Sequence, residues 1–211
     1  MSASGSKALT GSPRERLLAA ANELFYEEGI HTVGIDRVIE RAGVAKASLY
    51  SAFGSKDELV RAYLTARFES RQRRITARLA LHVSPRDRLL AIFDVLGEVT
   101  VEREFRGCAF LRASAEARGG TVVRAVCDDA RAWQRALFTT LAREAGVARP
   151  ERLVQQLVLL YDGATVVGQM DRDPSAAGVA RDAAAALLDA AIRGAPAGAK
   201  PTGRGSRRPR Q

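Results

Sequence analysis

Metal binding, disulfide stapling and most catalysis call for residues that this 211-residue chain scarcely has. It carries two cysteines, Cys108 and Cys127, and two histidines, His31 and His82. The cysteines lack metal-ligand spacing and have no secretory context, so a reducing cytoplasm is the expected compartment. Neither histidine has a second one at ligand distance in sequence, and no metal or cofactor is expected. There is no phosphate loop and no dinucleotide fingerprint. Asp128 and Asp129 are adjacent on an expected helix, so their carboxylates diverge and read as a solvated face. The enzyme reading therefore fares badly. No apolar run is long enough to span a bilayer, no signal-peptide core is present, and no membrane partner is expected. Alternating strand patterns are also missing, since the most strand-like run, Leu157 to Leu160, continues a helical repeat.

What is present is helical periodicity with clear punctuation. Ser12-Pro13-Arg14-Glu15 has the form of a capping box with proline at the first helical position. Behind it Leu17, Leu18, Ala21, Leu24 and Phe25 form an apolar stripe that ends at Glu27-Glu28-Gly29. Ile35, Val38, Ile39 and Ala42 then recur at helical spacing, and Gly43 can take the positive φ at which that helix must stop. Val44 is expected to bury the corner. The next short segment, from Lys46 to Ala52, keeps Leu49 and Phe53 for the core. It turns Lys46, Ala47, Ser48, Tyr50 and Ser51 outward. Small polar side chains flanked by a lysine suit a helix that enters a DNA major groove. Ser55, with Glu58 three residues on, reads as a second capping box that opens a long helix.

The run RERLLAAANELFYEEGI followed by GIDRVIERAGVAKASLYSAFGSKDELV closely resembles the DNA-binding domain of the TetR (tetracycline-repressor) family of bacterial transcriptional regulators. The likeness is gapless from about Arg14 to Leu64, and AGVAKASLYSAFGSKDEL is its most specific stretch. A looser likeness continues at RGCAFLRASAEA (106–117) and from Gln156 to Ala164. The resemblance implies an all-α fold of about nine helices, with a three-helix DNA-binding domain (12–55) joined to a helical ligand-binding and dimerisation domain (56–193). It implies recognition-helix roles for Lys46, Ala47, Ser48, Tyr50 and Ser51 and a phosphate contact for Lys56. Arg37 is a further candidate phosphate contact. The partners implied are a double-stranded operator, a second copy of the chain and an unidentified small-molecule effector. Two departures stand out. Val33-Gly34 replaces a Thr-Ser-like pair common in relatives, and Ser51-Ala52 replaces larger aromatic or imidazole groups. The first removes the usual hydroxyl phosphate contact or cap, unless Thr32 one residue earlier substitutes; the second, with fewer large groups in the groove, points to a different operator or to greater reliance on DNA shape.

Charge says less than its sum of +9 suggests. Residues 1–60 hold seven basic and eight acidic side chains, so the expected DNA-binding domain is not basic overall. The stretch 61–106 carries ten arginines against six acids. The tail from Gly194 has five cations and no acid. That Gly/Pro/Arg-rich tail (194–211) and the polar lead-in (1–11) cannot bury a core and are expected to be disordered. The tail should add only salt-sensitive, sequence-independent affinity.

Further helices are expected from Lys56 to about Leu81, Pro85 to about Arg103, Cys108 to Ala117, Val122 to Ala145 and Pro150 to about Met170. Gly119-Gly120 should break the chain. Pro174, after an Asp173 N-cap, should open a last helix running to Ile192. Gly163, Ala164, Gly168 and Ala183 to Ala186 are small residues that allow close helix approach, and the family builds its four-helix dimer interface from this pair of helices. Tyr63, Phe93, Cys108, Phe110, Trp133 and Met170 are the candidate ligand-pocket residues. Two alternatives stand beside the ligand-responsive repressor: a redox-sensing regulator working through Cys108 or Cys127, and a helical small-molecule binder without DNA binding.

Overall fold

The computed structural model describes residues 10–116 and 121–194. The expected tail beyond Gly194, most of the lead-in and the Gly119-Gly120 break lie outside them. Among the described residues there are nine helices and no strand: α1 (Pro13–Glu28), α2 (Ile35–Ala42), α3 (Lys46–Phe53), α4 (Lys56–Leu79), α5 (Pro85–Thr100), α6 (Ala109–Glu116), α7 (Thr121–Glu144), α8 (Glu151–Met170) and α9 (Ala176–Arg193).

Local chemistry explains most boundaries. At α1 the Ser12 amide donates to Glu15 Oε2 (2.8 Å) and Ser12 Oγ accepts from the Glu15 amide (3.3 Å), a complete capping box. At α4 only half of the expected box forms. Ser55 Oγ accepts from the Glu58 amide (3.1 Å), while the Glu58 carboxylate faces Arg61, one turn further along the helix (3.2 Å). Gly43 ends α2 in the left-handed region (φ 61°, ψ 44°). Val44 is only half-buried at that corner. The last helix starts later than its proline suggested. Arg172 takes a positive φ of 53°, so the chain is still turning at Pro174. Asp173 instead accepts from the amide and hydroxyl of Ser175 (2.8 and 2.7 Å), which is itself the N-cap of α9.

Two apolar cores organise these helices. One gathers Leu17, Leu24 and Phe25 of α1, Val38 of α2 and Leu49 of α3 with Leu59, Tyr63 and Leu64 of α4. It also takes in Ala109, Phe110 and Ala113 of α6 and Cys127 and Ala130 of α7. The other joins the C-terminal half of α4 to α5, the later part of α7, α8 and α9. An Arg86–Asp189 pair (2.7 and 2.9 Å) fastens α5 to α9. The small residues on α8 and α9 divide between two jobs. Ala164, Gly168 and Ala184 face inward, and a side chain at Gly168 would press on Thr100. Gly163 opens to solvent with nothing near it.

Gly43 has room for a methyl group, its nearest neighbour being Arg16 Nη1 at 3.8 Å from the Cβ position, so Gly43→Ala should cost only backbone strain. That is about 1–2 kcal/mol, read as a lower urea midpoint at unchanged m-value. Tyr63 is 2% exposed, and burial pushes its phenol from 10.0 up to about 12. The folded state therefore favours the neutral phenol. Its stabilisation is complete below pH 10 and is lost as pH rises through 12, up to about 2.7 kcal/mol. Urea unfolding between pH 9 and 12 should show this fall, and Tyr63→Phe should flatten part of it.

Candidate functional site

The helix-turn-helix presents one accessible face. On α3, Leu49 is fully buried, which turns Lys46, Ala47, Tyr50 and Ser51 outward and leaves Ser48 half-buried. Tyr50 is 48% exposed, unusual for a large side chain on so short a helix. Neither α2 nor α3 has a side-chain cap at its N-terminus, where Gly34 and Ala45 stand. The Val33-Gly34 departure is visible here as a bare helix start, whose free amides and dipole favour an anion. The three cations differ in availability. Lys46 reaches only Asp36 (2.9 Å), and both side chains are mostly exposed. That hydrogen bond raises the lysine pKa above its ordinary value. Arg37 pairs with Glu28 of α1. Lys56 lies over the Phe25 ring and donates to the Ile30 carbonyl (2.7 Å), and partial burial lowers its pKa. As placed here, Lys56 holds the turn after α1 rather than facing outward.

Between the two cores lies a cavity of about 500 Å³, walled by α4, α5, α6, α7 and α8, the loop after α5, and Tyr26 of α1. Of the six expected pocket residues, Cys108 and Phe110 line it. Trp133 borders a small apolar void that shares its Arg71, Gln134 and Tyr161 wall with the cavity. The other three lie elsewhere. Tyr63 packs edge-on to Phe25 (5.6 Å between centroids) in the first core. Phe93 is fastened between Phe138 and Tyr161 (6.0 and 6.1 Å) in the second. Met170 is 76% exposed at the end of α8. Sequence reading missed Tyr26, Arg67, Arg71, Arg74 and Gln134. One signal was available, because 67, 71 and 74 follow the helical repeat and so share a face of α4.

Each of those arginines is held by neighbouring groups, Arg67 and Arg71 part-buried and Arg74 at the surface. The Arg67 guanidinium stacks 3.7 Å above the Tyr26 ring. Arg71 donates to the Ala130 carbonyl (3.2 Å) and sits 4.8 Å from the Phe110 ring centre. Arg74 pairs with Glu102 (2.6 Å), and across the cavity Arg131 pairs with Asp162 (2.6 Å). Tyr26 connects this wall to the core of the helix-turn-helix. Its hydroxyl donates to the Gly107 carbonyl (2.9 Å) and accepts from the Arg106 amide (3.0 Å), while Arg112 donates to its backbone carbonyl. Below it, the Glu116 carboxylate accepts from the His31 amide (2.9 Å). Cys127 is buried beside the Phe110 carbonyl (3.5 Å), and burial raises its thiol pKa, which suppresses the reactive thiolate at neutral pH. Among the described residues no group of histidines, cysteines and acids could hold a metal ion, and no helix is long and apolar enough to cross a membrane.

Residues 17–63 match the family described as bacterial regulatory proteins, tetR family. The whole fold is similar to the crystal structure of a TetR-family transcriptional regulator from Streptomyces coelicolor. That likeness has 32% identity and a TM-score of 0.74, and covers 86% of this chain and 94% of the other. In sequence, the chain is 29% identical over 134 residues to the HTH-type transcriptional activator FasR of Mycolicibacterium smegmatis. It is 30% identical over 105 residues to the HTH-type transcriptional repressor NemR of Escherichia coli. The first alignment takes in 64% of this chain and the second 49%, and they span only 61% and 53% of those relatives' lengths. A helix-turn-helix with its outward face accessible, continuous with a helical body that the solved relative matches over 86% of this chain, leads to one conclusion: the chain belongs to the TetR family of transcriptional regulators.

Proposed function

We propose that this regulator is a ligand-responsive repressor that binds a palindromic operator as a homodimer and leaves it when a small molecule fills the cavity. The observation that carries the reading is Tyr26, one residue that lines the cavity and also belongs to the core of the helix-turn-helix. A ligand that shifts the wall at Gly107 and Phe110 pulls on α1 directly. For DNA release it must favour the conformer with the wrong half-site separation, and a hundredfold loss of affinity requires about 2.7 kcal/mol of differential binding. Repression is the simplest consequence of a dimer that occupies a promoter and departs on binding its effector.

Lys46, Ala47, Ser48, Tyr50 and Ser51 form the groove-facing set. Lys46 can exchange Asp36 for a phosphate at little cost, because an exposed ion pair contributes little. Arg37 and Lys56 join only by giving up Glu28 and the Ile30 carbonyl, which makes them second-rank contacts. Dimerisation has its own support on the surface. Leu159, Val167 and Met170 on α8 and Val179 on α9 are exposed apolar residues, with Gly163 open between them. Such a face suits a symmetric pairing that would set two recognition helices about 34 Å apart.

Selection of genomic fragments by the purified protein at near-physiological salt, followed by footprinting, should recover a palindrome protected on two successive major-groove faces. Tyr50→Ala should weaken that complex about tenfold. Lys46→Ala should weaken it and reduce the salt slope by about one. Equal retention of all fragments, fading with salt, would instead leave a helical small-molecule binder. For the dimer, the double variant Leu159→Asp/Val179→Asp should sediment as a monomer with unchanged helical circular dichroism and reduced operator affinity. A dimer that survives both changes would move the interface away from this face.

A further inference from the structure

The inner wall of the cavity is built from donors. Arg71 on α4 and Gln134 on α7 both line the cavity and the small apolar void beyond it, so they stand at its deep end rather than at its mouth. Gln134 is 5% exposed, and its buried Nε2 has no hydrogen-bond partner among the described residues. Arg71 Nε is likewise buried, and among the described residues the one acceptor for this guanidinium is the Ala130 carbonyl. Buried donors without acceptors are costly, and a guanidinium cannot shed its charge to escape.

The other charges at the cavity are accounted for differently. Arg74 and Arg131 are neutralised by Glu102 and Asp162. Arg67 is held on the Tyr26 ring and lies 3.5 Å from the Asn22 carbonyl. Glu104 and Asp128 are exposed to solvent. Among the described residues Arg67 and Arg71 both bury a free Nε–H and lack a carboxylate partner, but only Arg71 also reaches the void beyond the cavity. Phe68, Phe110 and Trp133 surround Arg71 at 4.8–5.9 Å, an electron-rich collar that stabilises the cation without satisfying its fork of donors. Along the remaining wall, Val95, Leu96, Val99 and Phe110 offer apolar surface.

We infer that the cavity takes a small organic carboxylate, with its acid group on Arg71 and Gln134 and an apolar body along α5 and α6. This rests on the ligand-responsive reading above and names the class of effector. A carboxylate supplies the planar, two-oxygen acceptor that matches a guanidinium fork, whereas an alcohol of the same length offers a single weak acceptor. A cavity of this size holds a ligand of about 10–15 heavy atoms.

Trp133 is the sole tryptophan and lies 5.9 Å from Arg71, so its fluorescence reports occupancy without any DNA present. The full-length protein would be titrated with octanoate and 4-phenylbutyrate, and in parallel with 1-octanol and 4-phenyl-1-butanol. Each acid is expected to bind at least tenfold tighter than its alcohol. Arg71→Met should remove that preference while keeping alcohol binding. Gln134→Leu, which leaves the guanidinium in place, should reduce the preference by a smaller factor. Acids and alcohols binding equally to the wild type would overturn the carboxylate assignment while leaving a ligand-binding regulator intact. So would an acid preference that survives Arg71→Met in a variant with normal circular dichroism. Binding of none of the four probes would overturn both this assignment and the cavity's role as an effector site. Operator release by the preferred acid in a gel-shift assay is a separate readout, and its failure alone would count against the regulatory reading.

Discussion

Tyr26 cannot leave its place without undoing the contacts between the DNA-reading end and the body of the molecule. Its ring carries the Arg67 guanidinium, its hydroxyl holds two groups of the loop before α6, and its backbone carbonyl is held by Arg112. Because Tyr26 is 8% exposed, its hydroxyl has little access to water as a substitute. Loss of either of its bonds leaves a buried donor or acceptor at a cost of about 1–3 kcal/mol. The first core adds to this constraint, since Phe110 and Ala113 of α6 belong to the same cluster as residues of α1 and α4, with α6 packed chiefly on α7 and α4. The helix-turn-helix is therefore not a free module on a tether. Where α6 goes, α1 goes too.

The arginines of α4 show how a strong charge pattern can be misassigned when only its sum is considered. The excess of positive charge over residues 61–106 invites a phosphate-binding reading. In the fold four arginines of α4 are engaged by neighbouring groups of the protein, while Arg61 and Arg73 stay exposed beside Glu58 and Glu69 of the same helix. Arg67 and Arg71 lie on aromatic rings and backbone carbonyls, and Arg74 and Arg78 meet Glu102 and Glu98 of the α5 region. Arginine suits this work because its planar guanidinium stacks on aromatics and tolerates partial burial without losing its charge. The exposed face of α3, in contrast, carries a single cation, Lys46, which is held only by the exposed Asp36.

What could be read from sequence follows how local each determinant is. The helix-turn-helix was legible because its signals lie within a few residues of their effects. Ser12 caps the helix that begins beside it, Gly43 stops α2 through its own φ, and Leu49 fixes which side of α3 faces out. The Asp173-Pro174 start of α9 failed because a tertiary turn at Arg172 outweighed the capping signal. The cavity was largely illegible. Periodicity marks Tyr63, Phe93 and Phe110 alike as inward, but only the packing of other helices decides which of them faces a void. Met170 shows the opposite error, an apolar residue rotated to the outer side of α8. Among the small residues, Gly163 opens outward while Gly168 admits Thr100, a difference that no spacing rule contains.

In the proposed cycle the amplitude required of the ligand is small, and the length of α4 is the reason. Twenty-four residues make a helix of about 36 Å, with the cavity-lining arginines past its middle and the helix-turn-helix at its N-terminal end. A tilt of about 5° would displace one end relative to the other by about 3 Å, roughly one base-pair rise. In a symmetric dimer the two displacements add, so the separation of recognition helices would miss its ideal value by nearly two base pairs. Packed interfaces switch between discrete arrangements rather than deforming continuously. A ligand that reseats Arg71 against its own acceptor group, and thereby loosens the Ala130 contact that ties α4 to α7, would act at the point where a small tilt can begin.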